Sequence, residues 1–123
     1  MERLNNGRQI INYKNLNYVK YKKNVEGKFE ISFDHKTKLK LVNIKTPRVF
    51  NDMTSMINYF QKHNMHPIAG HSMFINTDQI LYVDEICFDE NTKQFEILIY
   101  FGNQITTLHV MRDSWNNFKN TRL

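Results

Sequence analysis

The sequence predicts a mainly β domain with one amphipathic α-helix. Polar and apolar residues alternate on both sides of a central segment, and alternation is typical of half-buried strands. Inside that segment the apolar residues instead recur every three or four positions. The 123 residues, 41% hydrophobic and 24% charged, are typical of one globular domain. We expect residues 1–9 to form a flexible N-terminus and residues 10–123 a single domain.

The first half of the chain predicts three strands. Residues 16–21 are rich in aromatic and β-branched side chains. Residues 28–33 alternate, and a turn at Asp34-His35-Lys36 leads into a second alternating run at residues 37–42, which predicts a hairpin. In that second run three lysines share one face, namely Lys36, Lys38 and Lys40.

The helix is predicted after Pro47. Its apolar stripe consists of Met53, Met56, Ile57 and Phe60. Either Asn51 or Asp52 can cap the first turn by accepting a backbone N–H bond. His63-Asn64 and Pro67 mark the end of the helix, because proline disfavours helix in the residue before it. We therefore expect a helix of about three turns that packs this stripe into the core.

The second half returns to strands. Residues 80–88 predict a long strand that contains a bend, and residues 89–92 a turn. The nearly unbroken apolar run at residues 95–101 predicts a strand buried on both faces. Gly102-Asn103 predicts a tight turn into a strand at residues 104–110. Trp115 and Phe118, three residues apart, predict a short helix in the tail.

Composition excludes several classes of protein. No apolar run is long enough to cross a membrane, and the first residues lack the apolar core of a signal peptide. Cys87 is the only cysteine, so no internal disulfide forms. We therefore expect a cytoplasmic protein.

Charge is distributed unevenly along the chain. Residues 1–50 hold twelve Lys or Arg against four Asp or Glu, a net charge of +8. Residues 51–123 hold five against eight, a net charge of −3. A basic region of this kind suits a polyanion such as nucleic acid. The alternative is a charged surface that only keeps the protein in solution.

Catalytic and metal motifs are weak. Three histidines straddle the end of the predicted helix, namely His63, His66 and His71. The single cysteine is distant from them, so a tetrahedral metal set is not expected. Asp84 and Glu85 are adjacent in a strand and would point to opposite faces, which makes them a poor acid–base pair. No serine elbow or phosphate-binding glycine loop is present. We expect neither an enzyme nor a bound cofactor.

Nucleic-acid binding has more support. Six lysines are candidate phosphate contacts, namely Lys20, Lys22, Lys23, Lys36, Lys38 and Lys40. They are equally typical of an edge strand protected against aggregation. His71 and Arg112 lie at the ends of regular elements, and arginine is the side chain that most often reads guanine. The alternative for Arg112 is a surface salt bridge with Asp113 or Asp89.

The stretch Ile68-Ala69-Gly70-His71-Ser72-Met73-Phe74-Ile75-Asn76 contains a serine, an apolar run and an asparagine in that order. In these features residues 50–112 resemble the LytTR DNA-binding domain of bacterial transcription regulators, although Gly70 stands where that family usually has histidine. Val110-Met111-Arg112 looks like its closing valine-serine-arginine. Leu16-Asn17-Tyr18-Val19 resembles its opening strand.

The resemblance implies an elongated, β-rich domain whose loops enter successive major grooves of promoter DNA. Carried over by position, His71 and Arg112 are base contacts. A third base contact lies at Asn24, in a loop whose neighbours Lys22 and Lys23 bind phosphate. Three further residues would shape the binding loop, namely Gly70, Ser72 and Asn76. The expected partners are double-stranded promoter DNA, an inhibitory membrane or soluble regulatory protein, and a second copy on DNA repeats.

Two alternatives stay open. The first is a protein-interaction module that uses an exposed sheet edge and does not bind DNA. High salt distinguishes it, because phosphate contacts weaken steeply with salt whereas an apolar interface hardly responds. The second is a DNA-binding protein of another fold, since residues 95–122 look loosely like the end of the competence transcription factor of Gram-positive bacteria. The number of helices after Arg112 distinguishes that fold.

Overall fold

The computed structural model describes the backbone of residues 2–4, 9–36, 41–44 and 48–123, and the side chains of residues 12–32 and 48–123. The described residues form two α-helices, α1 (Met53–Gln61) and α2 (Arg112–Arg122). They also form the strands β1 (Glu2–Leu4), β2 (Gln9–Ile11), β3 (Tyr18–Lys23), β4 (Phe29–Lys36), β5 (Leu41–Ile44), β6 (Val49–Phe50), β7 (Met65–Pro67), β8 (Met73–Asn76), β9 (Ile80–Asp89), β10 (Gln94–Phe101) and β11 (Ile105–Met111). The mainly β class predicted from sequence is confirmed.

The strands form three antiparallel sheets. β1 pairs with β2, and a three-stranded sheet has the order β11-β10-β9. A six-stranded sheet has the order β5-β4-β3-β8-β7, with β6 paired to β4. Every described pairing is antiparallel.

β8 lies between two hydrophobic cores. All four of its residues are buried, and successive side chains point to opposite faces of the sheet. Phe74 packs into a first core with side chains from β3, β4 and α1. Met73 and Ile75 pack into a second core with the three-stranded sheet and α2. The six-stranded sheet is therefore covered by α1 on one face and, around β8, by the three-stranded sheet on the other.

Helix α1 follows the predicted pattern closely. Asp52 is its N-cap, and the Asp52 Oδ1 atom accepts the backbone N–H of Ser55 at 2.7 Å. Met56 and Phe60 are fully buried, whereas Met53 is 37% exposed because it lies in the first turn. The helix ends at Gln61, and Pro67 belongs to strand β7.

The predicted hairpin is confirmed, but the predicted position of its turn is wrong. Asp34, His35 and Lys36 belong to β4, where Asp34 pairs with Asn43 and His35 with Val42. Residues 37–40 lie outside the described residues. Cross-strand pairing outweighs the local turn preference of Asp34, His35 and Lys36.

In the segment expected to be a flexible N-terminus, residues 2–4 form a strand paired with residues 9–11.

The long strand β9 carries the irregularity expected of it. The register with β10 shifts twice, so that Leu81 and Ile86 have no partner on β10. β10 is the central strand, with Ile97 and Ile99 buried on one face and Leu98 only half-buried on the other, so burial is complete on one face alone. The predicted tail helix is α2, and its Trp115 is buried in the second core.

Candidate nucleic-acid interface

A cleft of about 300 Å³ opens where β3 and the start of β8 meet β11. It is lined by Tyr18, Lys20, Tyr21, His71, Ser72, Met73, Thr106, Thr107 and Leu108. Three parts of the sequence, each more than thirty residues from the next, supply its walls, so no local pattern indicates it. We refer to these residues as the β3–β11 cleft.

His71 closes one end of the β3–β11 cleft. Its backbone N–H donates to the Ile68 carbonyl at 3.2 Å, which makes a tight turn. Gly70 adopts a φ of +85°, a conformation that side chains disfavour, so glycine suits this position. The turn directs the His71 ring onto β11, where Nε2 donates to the His109 carbonyl at 2.8 Å.

The edge of β11 faces this cleft. In an antiparallel ladder the backbone groups of alternate residues point away from the neighbouring strand. The His109 carbonyl bonds to His71 and not to β10, so the backbone N–H and carbonyl of His109 point away from β10. Thr107 lies two residues earlier and has the same orientation. The backbone N–H and carbonyl of Thr107 therefore face the cleft.

Lysines on β3 lie beside the cleft, but on two different faces. Lys20 and Lys22 share the face of Tyr18, and both are exposed. Lys23 lies on the opposite face with Tyr21, and its Nζ atom is 6.0 Å from the centre of the Phe29 ring. Within the part of the chain whose side chains are described, none of these three lysines forms an ion pair. The cleft face therefore has two available positive charges.

Asn24 shapes the hairpin between β3 and β4. Its Oδ1 atom accepts the backbone N–H groups of Glu26 at 2.9 Å and Lys28 at 3.0 Å. Its Nδ2 group donates to Glu30 at 3.3 Å. Because both ends of the amide are used within the hairpin, Asn24 holds the turn, and the fully exposed Val25 forms its tip.

Arg112 lies toward the other edge of the three-stranded sheet. Its guanidinium is 5.6 Å from the centre of the Phe88 ring on β9, and its Nε atom is 3.8 Å from Asp113. β9 and β11 are separated by two strand spacings, about 10 Å. The structure therefore does not bring Arg112 and His71 to one point. The ion pair with Asp113, which the sequence left as an alternative, is exposed and contributes little to stability.

Asn76 and Ser72 stabilise the segment that carries His71. Asn76 is buried, and its Nδ2 group donates to the carbonyls of Tyr13, Lys14 and Leu16 at 2.9 to 3.3 Å. These bonds join residues 13–16 to the end of β8. The Ser72 carbonyl accepts the backbone N–H of Tyr21 at 2.9 Å and so extends the pairing of β3 with β8.

A polar network near the cleft was not expected from the sequence. The Asn17 Nδ2 group donates to Asn103 at 2.8 Å and to Gln104 at 2.9 Å. Gln104 in turn donates to the Tyr18 hydroxyl at 2.9 Å. These bonds join the turn before β11 to the start of β3 and so fix one end of the cleft. The local signal in the sequence was an asparagine, Asn17, within an apolar strand pattern.

Three further lysines were predicted to contact phosphate, namely Lys36, Lys38 and Lys40. Lys36 ends β4, but its side chain lies outside the described residues. Lys38 and Lys40 lie outside them entirely.

Neither metal binding nor thiol chemistry has a geometric basis in the described residues. Among their side chains, no three His, Cys, Asp or Glu lie close enough to hold a metal ion. The Cys87 thiol is exposed on β9 and donates to Glu96 at 3.5 Å. Desolvation and the Glu96 carboxylate raise the pKa of Cys87, which disfavours the reactive thiolate.

No family model, curated protein or solved structure matches this chain. The similarity to the LytTR family therefore stays a prediction. One helix, α2, begins at Arg112. In the residues that the structure describes, no helix has the length and apolar character needed to cross a membrane.

Proposed function

We propose that this protein binds double-stranded promoter DNA in a sequence-specific way and regulates transcription in the bacterial cytoplasm, as a regulator of the LytTR type. The observation that carries the proposal is the β3–β11 cleft. Lys20 lines this cleft and Lys22 lies on the same face of β3, and neither forms an ion pair with the described side chains. Beside them the ring of His71 is held at a fixed orientation. A polar side chain with a fixed orientation suits contact with a base edge, and a cation beside it suits contact with the neighbouring phosphate.

The side chains at this surface have separate roles in DNA binding. Lys20 and Lys22 neutralise phosphates and supply affinity that does not depend on sequence. His71 contacts a base edge. Arg112, whose guanidinium is directed toward Phe88 on β9, makes a second contact. An inhibitory regulatory protein and a second copy on repeated sites belong to the same proposal as expected partners.

A second candidate function, protein interaction through a sheet edge, is favoured by one observation. Strand β9 is a long edge whose Leu81 is 69% exposed, with Tyr82 and Ile86 exposed nearby. The two register shifts work against this function, because the residues without partners interrupt the ladder that an added strand would need.

Salt dependence tests the proposal directly. Binding to pooled random duplexes would be followed by fluorescence anisotropy at about 50 and 200 mM salt. We expect affinity to fall steeply with salt for the wild type. For Lys20→Ala/Lys22→Ala, the slope of log affinity against log salt should become shallower by about 0.9 for each lost contact.

Lys62→Ala is the matched control. Lys62 is an exposed lysine that follows α1, which packs on the opposite face of the six-stranded sheet. Its loss should leave the salt slope unchanged. An equal effect of Lys62→Ala would place the polyanion surface elsewhere.

Sequencing of the retained duplexes tests specificity. The wild type should enrich a motif, and His71→Ala should lose discrimination at one position while its salt-sensitive binding persists. If the wild type enriches no motif and its binding hardly depends on salt, DNA binding is excluded and a protein partner at β9 becomes the leading function.

A further inference from the structure

The bond between His71 and β11 determines which hydrogen bond the His71 ring can offer to a ligand. A backbone carbonyl only accepts hydrogen bonds, so the His71 Nε2 atom must carry a proton to bond to His109 at 2.8 Å. In a neutral imidazole the other nitrogen then has no proton. In that neutral form Nδ1 is an acceptor, and it makes no hydrogen bond within the described part of the chain.

We propose that Nδ1 of His71 recognises a hydrogen-bond donor on a DNA base, namely an exocyclic amino group. The proposal rests on the DNA-binding function proposed above. Such amino groups are N6 of adenine and N4 of cytosine in the major groove, and N2 of guanine in the minor groove. Phosphate oxygens and the O6 and N7 atoms of guanine are acceptors, so they do not pair with this nitrogen.

The surroundings of His71 favour this assignment. Lys20 lines the same cleft and already supplies a donor for phosphate. His71 is half-buried, and both its backbone and its ring are held, the first by Ile68 and the second by His109. A ring held in this way loses little conformational entropy on binding. In its neutral form His71 thus offers an acceptor beside the cationic donor of Lys20, and this pair matches a phosphate next to an amino-bearing base.

The first test uses the free protein and does not involve DNA. Long-range ¹H–¹⁵N NMR spectra distinguish the two neutral tautomers of a histidine ring. We expect the His71 ring to carry its proton on Nε2 in the wild type. A proton on Nδ1 would overturn the inference and leave the proposed DNA binding unaffected.

The second test uses base analogues in the duplex that the wild type enriches. At the position where His71→Ala loses discrimination, each amino group would be removed singly, with 2′-deoxynebularine for adenine, 2-pyrimidinone for cytosine or deoxyinosine for guanine. We expect roughly a tenfold loss of affinity for the wild type when the recognised amino group is absent. His71→Ala should not respond to the same change, because the two losses remove one contact. The analogue that matters also identifies the groove.

Two variants separate the chemistry of the acceptor from the shape of the site. His71→Gln keeps an acceptor and should retain part of the dependence on the amino group. His71→Lys offers only donors and should lose that dependence, with unchanged thermal unfolding as the control for folding. If affinity instead falls when 7-deazaguanine replaces guanine and no amino group matters, His71 acts as a donor and the inference is wrong. If the wild type enriches no motif at all, the proposed function fails first.

Discussion

The two edges of the three-stranded sheet are protected in different ways. β11 pairs with β10 in continuous register, and its outward carbonyl at His109 is bonded to His71. β9 pairs with β10 through two register shifts, and exposed acidic residues such as Asp84 and Asp89 lie along it. Shifts and charges of this kind prevent further strand pairing. The regular edge therefore lies in the β3–β11 cleft, and the irregular, acidic edge faces away from it.

Charge strengthens this contrast. Lys20 and Lys22 lie on the side of β11, whereas β9 adds negative charge that would repel phosphates. The proposed DNA surface is accordingly centred on β11. Arg112, directed toward β9 and paired with Asp113, lies at its margin.

The largest expected effect comes from the helix that supports β9. Trp115 is buried, and its Nε1 group donates to Glu85 at 2.9 Å. Trp115→Ala should lower the free energy of unfolding by about 3–5 kcal/mol, because it leaves a cavity in the second core. Trp115→Phe should cost less, since the ring volume is largely kept. Urea denaturation measures both, and Ile105→Ala, at an exposed site on β11, should change stability by less than about 0.5 kcal/mol. Equal costs at Trp115 and Ile105 would contradict the described core.

The next largest expected effect is on DNA affinity, where a substitution of His71, beside β11, is compared with one of Arg112, directed toward β9. His71→Ala should weaken binding to the enriched duplex by about 1–3 kcal/mol, and Arg112→Ala should weaken it by less, because Asp113 already competes for its guanidinium. The losses should add within about 0.5 kcal/mol in the double variant, since the residues lie on different edges. Anisotropy titrations of the four proteins measure this. Strong coupling would mean that the two side chains meet in the complex.

Residues that follow a local period were predictable from the sequence. The apolar stripe of α1, a cap at Asn51 or Asp52 and a short tail helix containing Trp115 and Phe118 all depend on neighbours within one or two turns. The central strand β10 was predictable for the same reason, because its apolar run is continuous in sequence.

The site itself depends on contacts that no local pattern contains. His71 meets His109, and Asn17 meets Asn103 and Gln104, only because β3, β8 and β11 assemble into two packed sheets. The resemblance to the LytTR family implied a base contact at Asn24, yet the Asn24 amide is used to hold its own loop. Residue type indicated a polar role for each of these side chains, and tertiary pairing determined which role it has.

A smaller effect concerns the acid stability of the β9 edge. Hydrogen bonds from Lys119 and Trp115 lower the pKa of Glu85 below its ordinary value of 4.5. A lowered pKa in the folded state gives stability that is present above pH 4.5 and is lost as the pH falls through the lowered pKa. Because Glu85 is 38% exposed, solvent screening should limit its share to less than about 1 kcal/mol. Urea midpoints from pH 7 to about 3 should fall less for Glu85→Gln than for the wild type. Parallel curves would show that this ion pair does not contribute.

The smallest expected effect comes from a substitution on β9, and it tests whether this irregular edge contributes to DNA binding. Leu81 is exposed and has no partner on β10, so Leu81→Ser should change the free energy of unfolding by less than about 0.5 kcal/mol. It should also leave DNA affinity and its salt slope unchanged, because the proposed surface is centred on β11. Anisotropy titration beside Lys20→Ala measures the contrast between the two edges. A loss of DNA affinity in Leu81→Ser with Lys20→Ala unaffected would reverse the assignment of the edges, because the ligand would then contact β9.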